Sequence, residues 1–438
     1  MPPPLNTPKK PFHIAVCGGG IGGLCTTIGL LHQGISCTLY ESAPAFAEIG
    51  AGVSIGPNAL RALTLLDPGL SAGYEAIATG NADESKRRFW FEFNLGMKEG
   101  AWAESGRGLK APGKEGERIA GVECGDRGQE SVHRAHFLDV LVKRVPEGLA
   151  RFGKRVERVE RVGGKMVLGF EDGSSEEADA VIGCDGVKSV TRRILLGEDS
   201  EVLNPTFSHK YAYRGLVPME KAVEAVGDAL ARNAQQYLGH HGHVLTFPIE
   251  KGKTMNVVAF QNKDGDWEDE RWVLPMKRED MINDFAGWGE SVQKILSLME
   301  NPDIWALFDH PPAPTYYKGR LAILGDAAHA STPHQGAGAG QAIEDAYILT
   351  HLLGKINCVE DIEDAFRAYD HVRRLRTQKV VVTSREAARL YEFEDETIGT
   401  DLDLLKKNLE TRYSWIWDED LLQQLKTAQD MMGLKSNL

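Results

Sequence analysis

The sequence contains little cysteine and little proline. Its 438 residues include 6 Cys and 19 Pro, and no two cysteines form a Cys-x-x-Cys pair or a cluster with zinc-ligand spacing. This scarcity excludes a disulfide scaffold and a proline-rich disordered chain, and it favours a reducing compartment where free thiols pack as small apolar side chains. We therefore expect a cytoplasmic protein. The final Ser-Asn-Leu resembles a peroxisomal targeting signal only weakly.

Positive charge is also in short supply. The 50 Lys and Arg residues minus the 63 Asp and Glu residues leave a net charge of −13. Nucleic acids and anionic membranes attract proteins through a positive field, so this balance argues against both as partners. It leaves room for a local basic pocket that binds a small anion.

The sequence has no convincing membrane span or export signal. Residues 14–31 form an uncharged run of 18, but six of them are glycine. Each glycine costs about 1 kcal/mol relative to alanine inside a helix, so one continuous helix is a poor explanation of this run. We expect neither a span nor a signal peptide here.

The same run has the pattern of a dinucleotide-binding turn. An apolar strand over residues 12–17 is followed by GGGIGG and then by apolar residues at helical spacing. In this frame Gly18 shapes the turn, Gly20 lets a diphosphate approach, and Gly23 lets the helix pack on the strand. A second strand ends at Glu41, where a carboxylate can accept hydrogen bonds from ribose hydroxyls. This motif alone does not distinguish NAD from FAD, and a glycine-rich turn without a ligand is the alternative.

Three later segments extend the pattern. Residues 48–63 combine closely spaced glycines with a helix that begins behind Pro57, and residues 181–189 place a Gly-Cys-Asp-Gly turn, with Asp185, after an apolar strand at 178–182. Residues 320–346 run from a buried strand through Asp326 and a Gly-Ala-Gly-Ala-Gly stretch into a helix that starts near Gly338. An ordinary loop explains the first segment equally well, and an Asx-turn explains the geometry of the second.

Together these segments resemble the single-component flavoprotein aromatic hydroxylases, and within them the salicylate hydroxylase group. The resemblance extends from Phe12 to about Trp417 and implies FAD as cofactor, with NADH or NADPH as transient electron donor. It implies cofactor contacts from the residues Ser54, Arg134, Asp185, Asp326, Gly338 and Ala339. Cys184 stands where the family more often has alanine, which we expect to be silent. For Arg134, a solvated position on an amphipathic helix is the alternative.

The resemblance and the strand pattern together suggest where a substrate binds. Alternation over residues 210–217 puts Tyr211 and Tyr213 on one face and Arg214 on the other, and the resemblance implies that Arg214 engages an anionic substrate. His334 follows Pro333, which the family packs against the flavin, so His334 is a candidate donor or base at the substrate hydroxyl. Tyr237 is a further candidate. For Arg214, pairing with a surface acid is the alternative.

A cluster of histidines and a cluster of arginines resemble binding sites, but we predict neither a metal site nor a nucleotide site there. In the group His240, His241 and His243, the last two form a His-x-His pair on one face of a strand, but no third ligand follows at a usual spacing. Polar packing therefore explains these histidines better than a metal does. The arginines at positions 373, 374 and 376 form a basic cluster that we expect to be solvent-exposed or in contact with a partner.

The predicted fold is α/β: a Rossmann-like FAD-binding domain, an inserted antiparallel sheet that binds substrate, and a C-terminal helical region. The predicted boundaries are 10–80, 105–200 and 311–360 for the FAD-binding domain, 81–104 and 201–310 for the sheet domain, and 361–438 for the helical region.

The predicted function is hydroxylation of a phenolic aromatic acid with NAD(P)H and O2. The resemblance implies salicylate as substrate, converted to catechol with loss of CO2. The alternatives are a hydroxylase or dearomatising monooxygenase of another phenol or a hydroxynicotinate-type substrate, and a flavin reductase that does not hydroxylate. The sequence leaves a monomer and a homodimer equally open.

Overall fold

The computed structural model describes residues 10–46, 52–105 and 108–433. Glu48 and Gly50 of the second glycine-rich segment lie outside the described residues, as does the Ser-Asn-Leu terminus. No helix in the described ranges is long and apolar enough to cross a membrane.

The strands and helices of the described residues are numbered in chain order. The strands are β1 (His13–Cys17), β2 (Ser36–Tyr40), β3 (Gly52–Ser54), β4 (Thr79–Gly80), β5 (Phe89–Leu95), β6 (Arg118–Glu123), β7 (Glu130–His133), β8 (Ala150–Arg151), β9 (Val156–Val162), β10 (Lys165–Phe170), β11 (Ser175–Ala178), β12 (Ala180–Gly183), β13 (Thr206–Pro218), β14 (Gln235–Gly239), β15 (Gly242–Ile249), β16 (Thr254–Asn262), β17 (Val273–Pro275), β18 (Asp303–Asp309), β19 (Tyr317–Lys318) and β20 (Leu321–Ile323). The α-helices are α1 (Ile21–His32), α2 (Pro57–Leu66), α3 (Pro68–Ile77), α4 (Glu99–Glu104), α5 (Arg134–Val142), α6 (Val190–Leu196), α7 (Met219–Val226), α8 (Asp228–Ala231), α9 (Arg278–Asp284), α10 (Glu290–Ser297), α11 (Asp326–His329), α12 (Gly338–Lys355), α13 (Ile362–Tyr391), α14 (Leu402–Thr411), α15 (Ser414–Trp417) and α16 (Leu421–Met431).

A mostly parallel sheet carries the glycine-rich turn. Its strand order is β19-β20-β12-β1-β2-β8, and only the edge strand β19 runs antiparallel. The central strands β1 and β12 are almost wholly buried, as expected for parallel strands covered on both faces. Helices α1 and α12 pack against each other beside this sheet. The predicted strand–turn–helix–strand order at the N-terminus is therefore confirmed.

The predicted strand at 178–182 is wrong in its first half. The chain turns at Asp179, because β11 belongs to a separate three-stranded sheet and only β12 joins the parallel one. The Asp179 carboxylate fixes this turn by accepting hydrogen bonds from the His13 amide at 2.8 Å and from Lys165 Nζ at 2.6 Å.

An eight-stranded sheet lies over the parallel one. Its order is β17-β18-β13-β16-β15-β14-β5-β6, antiparallel throughout except for the β14–β5 pair. Helix α13 spans both layers: Phe366 and Tyr369 in its first half belong to the core around the parallel sheet, whereas Val380 and Tyr391 belong to the core under the large sheet. The α/β fold class is confirmed.

The predicted domain division remains a proposal, with one change suggested by strand pairing. Strand β5 lies within the 81–104 segment and pairs with β14 of the large sheet, as that division requires. Strand β6 also pairs with β5, although the division puts residues 118–123 in the FAD-binding domain. We therefore propose to assign β6 to the sheet domain.

The prediction of an exposed basic cluster at 373–376 is wrong. The Arg373 side chain is fully buried on α13 and bonds Glu344 at 2.6 Å and Asp345 at 2.7 Å. Arg376 is also buried and bonds Glu344 at 2.9 Å. These arginines neutralise two buried carboxylates in the second turn of α12, one of which, Asp345, also pairs with His329 at 2.6 Å.

Candidate active site

A cleft of about 510 Å³ separates the parallel sheet from the large sheet. Both layers line it, together with the β1–α1 turn and the segment that leads into α12. The predicted site residues that line it are Gly20, Ser54, Arg134, Arg214, Asp326, Pro333, His334, Gly338 and Ala339. Gly18, Gly23, Glu41, Asp185 and Tyr237 do not line it.

Gly18 and Gly23 do not line the cleft, but they allow the tight backbone path of the β1–α1 turn. Gly18 has φ +106°, and a Cβ there would lie 2.3 Å from the Cys184 carbonyl oxygen. A Cβ at Gly23 would lie 1.8 Å from the Gly18 carbonyl oxygen. Only glycine at both positions lets the turn fold tightly against β12 and start α1 at the cleft.

Two helices begin at the cleft without a side-chain cap. The N-cap of α1 is Gly20 and that of α12 is Ala337, and neither helix has an acidic residue in its first turn. Their first backbone amides therefore lack intrahelical and side-chain acceptors, while the helix dipoles favour negative charge at these ends. Such ends are suited to bind a diphosphate or another anionic group.

The carboxylates of Glu41 and Asp185 accept hydrogen bonds from neighbouring groups of the protein. Glu41 accepts hydrogen bonds from the Gly19 amide at 2.6 Å and the Ala43 amide at 2.7 Å. Asp185 accepts from Ser189 Oγ at 2.6 Å, from Thr191 Oγ1 at 2.5 Å and from two amides at the start of α6. The two amides belong to Val190 and Thr191, five and six positions on, so Asp185 bonds the first turn of α6 and does not form an Asx-turn. Its neighbours Cys184 and Gly186 line the cleft instead.

Asp326 and the Pro333 segment face the cleft from the α12 side. Asp326 is exposed at the start of α11, and its carboxylate forms no hydrogen bond with any described side chain or amide, so it is available to a ligand. Residues Pro333–Gln335 form one 3-10 turn, held by Gln335 Nε2 donating to Thr383 Oγ1 at 2.8 Å on α13. Pro333 and His334 therefore sit on a fixed turn.

Arg214 brings an unpaired positive charge into the cleft. It lies on β13 with its guanidinium 4.7 Å from the Trp305 ring centre, and no ion pair to it is found in the described ranges. Burial, followed by repulsion from Arg134, lowers the pKa of Arg214 to about 10. The guanidinium stays charged at neutral pH, so the cleft contains a positive charge that can bind an anion. The prediction that Arg214 and Tyr211 point to opposite faces is confirmed, because Tyr211 and Tyr213 both bond Asp284.

His334 contributes a neutral imidazole. Its ring is buried, 4.9 Å from the Phe260 ring centre, and neither nitrogen has a hydrogen-bond partner among the described groups. Burial, and then the neighbouring His243, lowers the pKa of His334 well below its usual range. The ring is therefore neutral at neutral pH, with a lone pair on one nitrogen and a proton on the other.

The structure places Tyr237 away from the cleft. Gln236 and its cross-strand neighbour Leu245 line the cleft, so Tyr237 and its neighbour Val244 face the opposite side of the sheet. Alternation along β14 explains this: it separates two faces but does not say which one meets the cofactor layer.

Sequence reasoning missed most of the cleft wall. The aromatic members are Trp90, Phe91, Phe247, Phe260, Trp272, Trp305, Phe308 and Tyr413. The rings on the large-sheet side come from the four strands β5, β15, β16 and β18 and from the loop before β17. The period-2 pattern of β15 and β16 was the available signal. These rings make the large-sheet side of the cleft apolar and aromatic.

His243 and His334 approach a carboxylate that the sequence gave no reason to consider. Ligand atoms of His243, His334 and Glu392 all lie within 4.8 Å of one another. Glu392 is already ion-paired with Lys210, which disfavours a dication there. His241 belongs to the turn before β15 and bonds Glu394 instead of joining this group. The absence of a metal site remains a prediction.

The residues that line the cleft fit FAD. Seven residues that line the cleft are glycines, at positions 20, 22, 52, 186, 325, 336 and 338. Where a side chain is missing, a flat ring system or a diphosphate can approach the backbone closely. The two uncapped helix ends can hold the diphosphate and the electron-rich edge of the flavin. A parallel nucleotide-binding sheet that shares this cleft with an aromatic antiparallel sheet defines a flavoprotein-like class, with a place for a flat ligand beside the cofactor.

Comparison with known proteins agrees with the conclusion that the cleft fits FAD. The model of the FAD binding domain family matches residues 12–384. The chain is 43% identical over 425 residues to a 6-methylsalicylate 1-monooxygenase of Aspergillus terreus, covering 96% of this chain and 92% of that protein. It is 40% identical over 446 residues to a salicylate hydroxylase of Pseudomonas putida, covering 99% and 98%. A solved salicylate hydroxylase substrate complex superposes with a TM-score of 0.84 at 38% identity, covering 96% of this chain and 98% of that one.

The chain therefore belongs to the FAD binding domain family. Within it, the protein is an FAD-dependent monooxygenase of the salicylate hydroxylase type, and NAD(P)H is the usual electron donor of that class.

We expect the free energy of unfolding to fall in acid, because His310 is buried as a neutral side chain. This residue is buried, and burial followed by the charge of Arg192 lowers its pKa to about 3. The unfolded state, with a histidine pKa near 6.5, binds the extra proton, so the stabilisation is complete above about pH 6.5 and declines toward pH 3. We expect this residue alone to lower the free energy of unfolding by about 2 kcal/mol between pH 6.5 and pH 5.

Urea denaturation at both pH values tests this expectation. The His310→Gln variant should lose less stability on acidification than the wild type. His371→Gln, at an exposed position on α13, is the matched control and should retain the wild-type pH dependence. Equal slopes for His310→Gln and the wild type would contradict the assignment.

Proposed function

We propose that this monooxygenase hydroxylates a phenolic aromatic acid, and that salicylate fits the cleft best. The observation that carries the proposal is the charged, unpaired Arg214 inside a cleft walled by aromatic rings. A flat anion with an apolar ring complements both features. Hydroxylation at the carboxyl-bearing carbon would release CO2 and give catechol.

Each part of the cleft has a task in this reaction. The Arg214 guanidinium can form a two-point contact with a carboxylate or stabilise a phenolate, and an ionised ring is more electron-rich. His334 can accept the phenol proton, because its ring is neutral and faces the cleft. Trp305 and Phe247 exclude water from the ring.

The cofactor half of the cleft has its own set of residues. Backbone amides at the start of α1 would hold the diphosphate, with Arg134 as a nearby positive charge. Asp326 would accept hydrogen bonds from cofactor hydroxyls, and the start of α12 would face the flavin ring. When bound, FAD supplies hydride acceptance from NAD(P)H and activation of O2.

A ring-substituted salicylate is the second candidate. The observation in its favour is the 43% identity to a protein named for 6-methylsalicylate, against 40% for the salicylate hydroxylase. An extra methyl group contributes about 1–3 kcal/mol of discrimination in an apolar pocket, so the two acids should differ measurably.

Incubation of the FAD-loaded enzyme with NADH, with and without each acid, tests the proposal. Salicylate should accelerate NADH oxidation and yield catechol and CO2 in amounts matching the NADH consumed. NADPH in a parallel series identifies the donor. If no member of a phenol panel stimulated NADH oxidation, the hydroxylase proposal would be wrong; stimulation with only hydrogen peroxide as product would indicate a different substrate.

The cytoplasmic location and the choice between monomer and homodimer remain proposals from the sequence. The six cysteines are all free in the structure, as a reducing compartment would require.

A further inference from the structure

A row of polar side chains connects the cleft with the protein surface on the large-sheet side. In order from the cleft, it consists of His334, His243, Glu392, Lys210, Glu394 and His241. His334 lines the cleft, whereas the His241 side chain is 46% exposed. The four members between them are buried or half-buried, so the row has one end at the substrate position and one in solvent.

The hydrogen bonds along this row are nearly continuous. His243 Nδ1 bonds Glu392 at 3.0 Å, and the other oxygen of Glu392 accepts from Lys210 Nζ. Lys210 Nζ also donates to Glu394 at 3.2 Å. Glu394 in turn bonds His241 Nδ1 at 2.7 Å. The single gap lies between His334 and His243, whose ring centres are 5.3 Å apart.

The nitrogens at this gap are unpartnered. His243 Nε2 and both nitrogens of His334 are buried without a hydrogen bond among the described groups. A buried polar atom without a partner is costly, so its retention calls for an explanation. One ring nitrogen of His243 lies within 4.8 Å of one ring nitrogen of His334, a separation that a ring rotation or one bridging water can span.

The charges fix which nitrogen of His243 carries its proton. Burial alone would raise the pKa of Glu392, but Lys210 and His243 outweigh it and hold this pKa below its usual value. Glu392 is therefore an ionised acceptor, which assigns the proton of His243 to Nδ1 and leaves Nε2, which has no partner among the described groups, as a lone pair. The stacked Phe260 ring, 4.2 Å from the His243 ring centre, holds this orientation.

We propose that this row is a proton relay, which carries the phenol proton of the substrate from His334 to solvent at His241. The inference rests on the proposed function, since it needs a phenol at His334. His334 accepts the phenol proton and passes its other ring proton to His243 Nε2, and His243 passes its Nδ1 proton to Glu392. Lys210 then gives a proton to Glu394 and regains one from Glu392, and Glu394 protonates His241, which releases a proton to water.

No electrons move in this relay, and the net change is one proton transferred from phenol to solvent. The cleft can therefore remain closed to water while the ring ionises. His334, His243 and Lys210 regain their initial charges, but each histidine of the row is left with its proton on the opposite ring nitrogen. The rings must rotate or exchange this proton before the row can accept one from the next substrate.

Rapid mixing of the FAD-loaded enzyme with 5-nitrosalicylate, without NADH, tests the relay directly. Absorbance reports the phenolate, and an indicator dye in weak buffer reports the proton that reaches solvent. In the wild type both signals should rise at the same rate. In Glu392→Gln, which keeps the side-chain size but removes the proton-accepting carboxylate, both should slow by about tenfold to a hundredfold.

Added imidazole should restore much of the rate in Glu392→Gln, because a small base replaces the missing acceptor; a purely structural defect would not respond. Asp284→Asn is the matched control, since this carboxylate bonds Tyr211 and Tyr213 on the opposite side of β13, and it should ionise the phenol at the wild-type rate. His241→Gln, at the exposed end, should slow proton release several-fold in weak buffer even if Glu392→Gln folds poorly.

The outcomes separate the relay from the proposed function. Wild-type rates in both Glu392→Gln and His241→Gln would overturn the relay alone, as would a slowed rate that imidazole leaves unchanged. A wild-type enzyme that binds and ionises no phenol would overturn the proposed function and the relay with it.

Discussion

Replacement of Arg214 by methionine is expected to weaken salicylate binding by about a hundredfold or more. The substitution keeps an unbranched side chain beside Trp305 but removes the guanidinium. A charge-assisted contact inside an apolar cleft contributes about 2–5 kcal/mol, since little water is present to replace it. The dissociation constant of salicylate, measured through the change in flavin absorbance on titration, should rise accordingly. A larger share of the NADH oxidised should yield hydrogen peroxide in place of hydroxylated product.

The comparison that isolates the charge uses a neutral ligand. Salicylamide has the ring and hydroxyl of salicylate without the carboxylate charge, so Arg214→Met should alter its binding far less. Arg214→Lys keeps the charge but loses the planar fork, and an intermediate loss of about tenfold is expected. Equal losses for salicylate and salicylamide would show that Arg214 does not bind the carboxylate.

The same substitution should not destabilise the ligand-free protein. The lowered pKa of Arg214 means that the folded protein disfavours its charged form, through burial and then repulsion from Arg134. Methionine removes this cost, so the melting temperature of the variant should equal or exceed that of the wild type. The charged Arg214 thus lowers the stability of the ligand-free protein, but it provides a binding site for an anion.

The parts of the fold that depend on neighbours in sequence were predictable. The β1–α1 turn follows from residues a few positions apart, because Gly18 and Gly23 meet each other within one turn. The face on which Arg214 lies follows from the two-residue period of its strand. Asp326 was identified because a long motif surrounds it.

What depends on contacts between distant segments was not predictable. Glu392 is 149 residues from His243, so no local pattern pairs them. Three arginines within four residues suggest a solvated surface, and only the fold reveals that Arg373 meets Glu344, which is 29 positions away. Asp185 shows a further limit: its sequence motif is correct, but the carboxylate caps α6 in the structure.

Replacement of Arg373 by methionine is expected to lower the free energy of unfolding by about 3–5 kcal/mol. Removing one member of a buried ion pair leaves a charge without compensation, and this is more costly than the absence of the pair itself. Burial would raise the pKa of Asp345, but His329 and Arg373 overcome it and hold this pKa at about 2. Without Arg373, part of that compensation is lost.

The loss should extend to the cofactor half of the cleft. Asp345 accepts a hydrogen bond from the Gly325 amide at 3.1 Å, next to Asp326, so a displaced Asp345 releases the loop that faces the cofactor. We therefore expect weaker FAD binding in Arg373→Met, measured by flavin fluorescence, together with the lower urea midpoint.

The adjacent Arg374 provides the control. It lies on the same helix and pairs with Asp370 at 3.0 Å, but it is half-buried, so Arg374→Met should cost less than about 1 kcal/mol and leave FAD affinity unchanged. A double variant, Arg373→Met with Glu344→Gln, should be less destabilised than the two single variants added together, because it removes both charges of one pair. Similar costs for Arg373→Met and Arg374→Met would mean that the buried network does not support the cofactor loop, and that α12 is positioned by apolar packing alone.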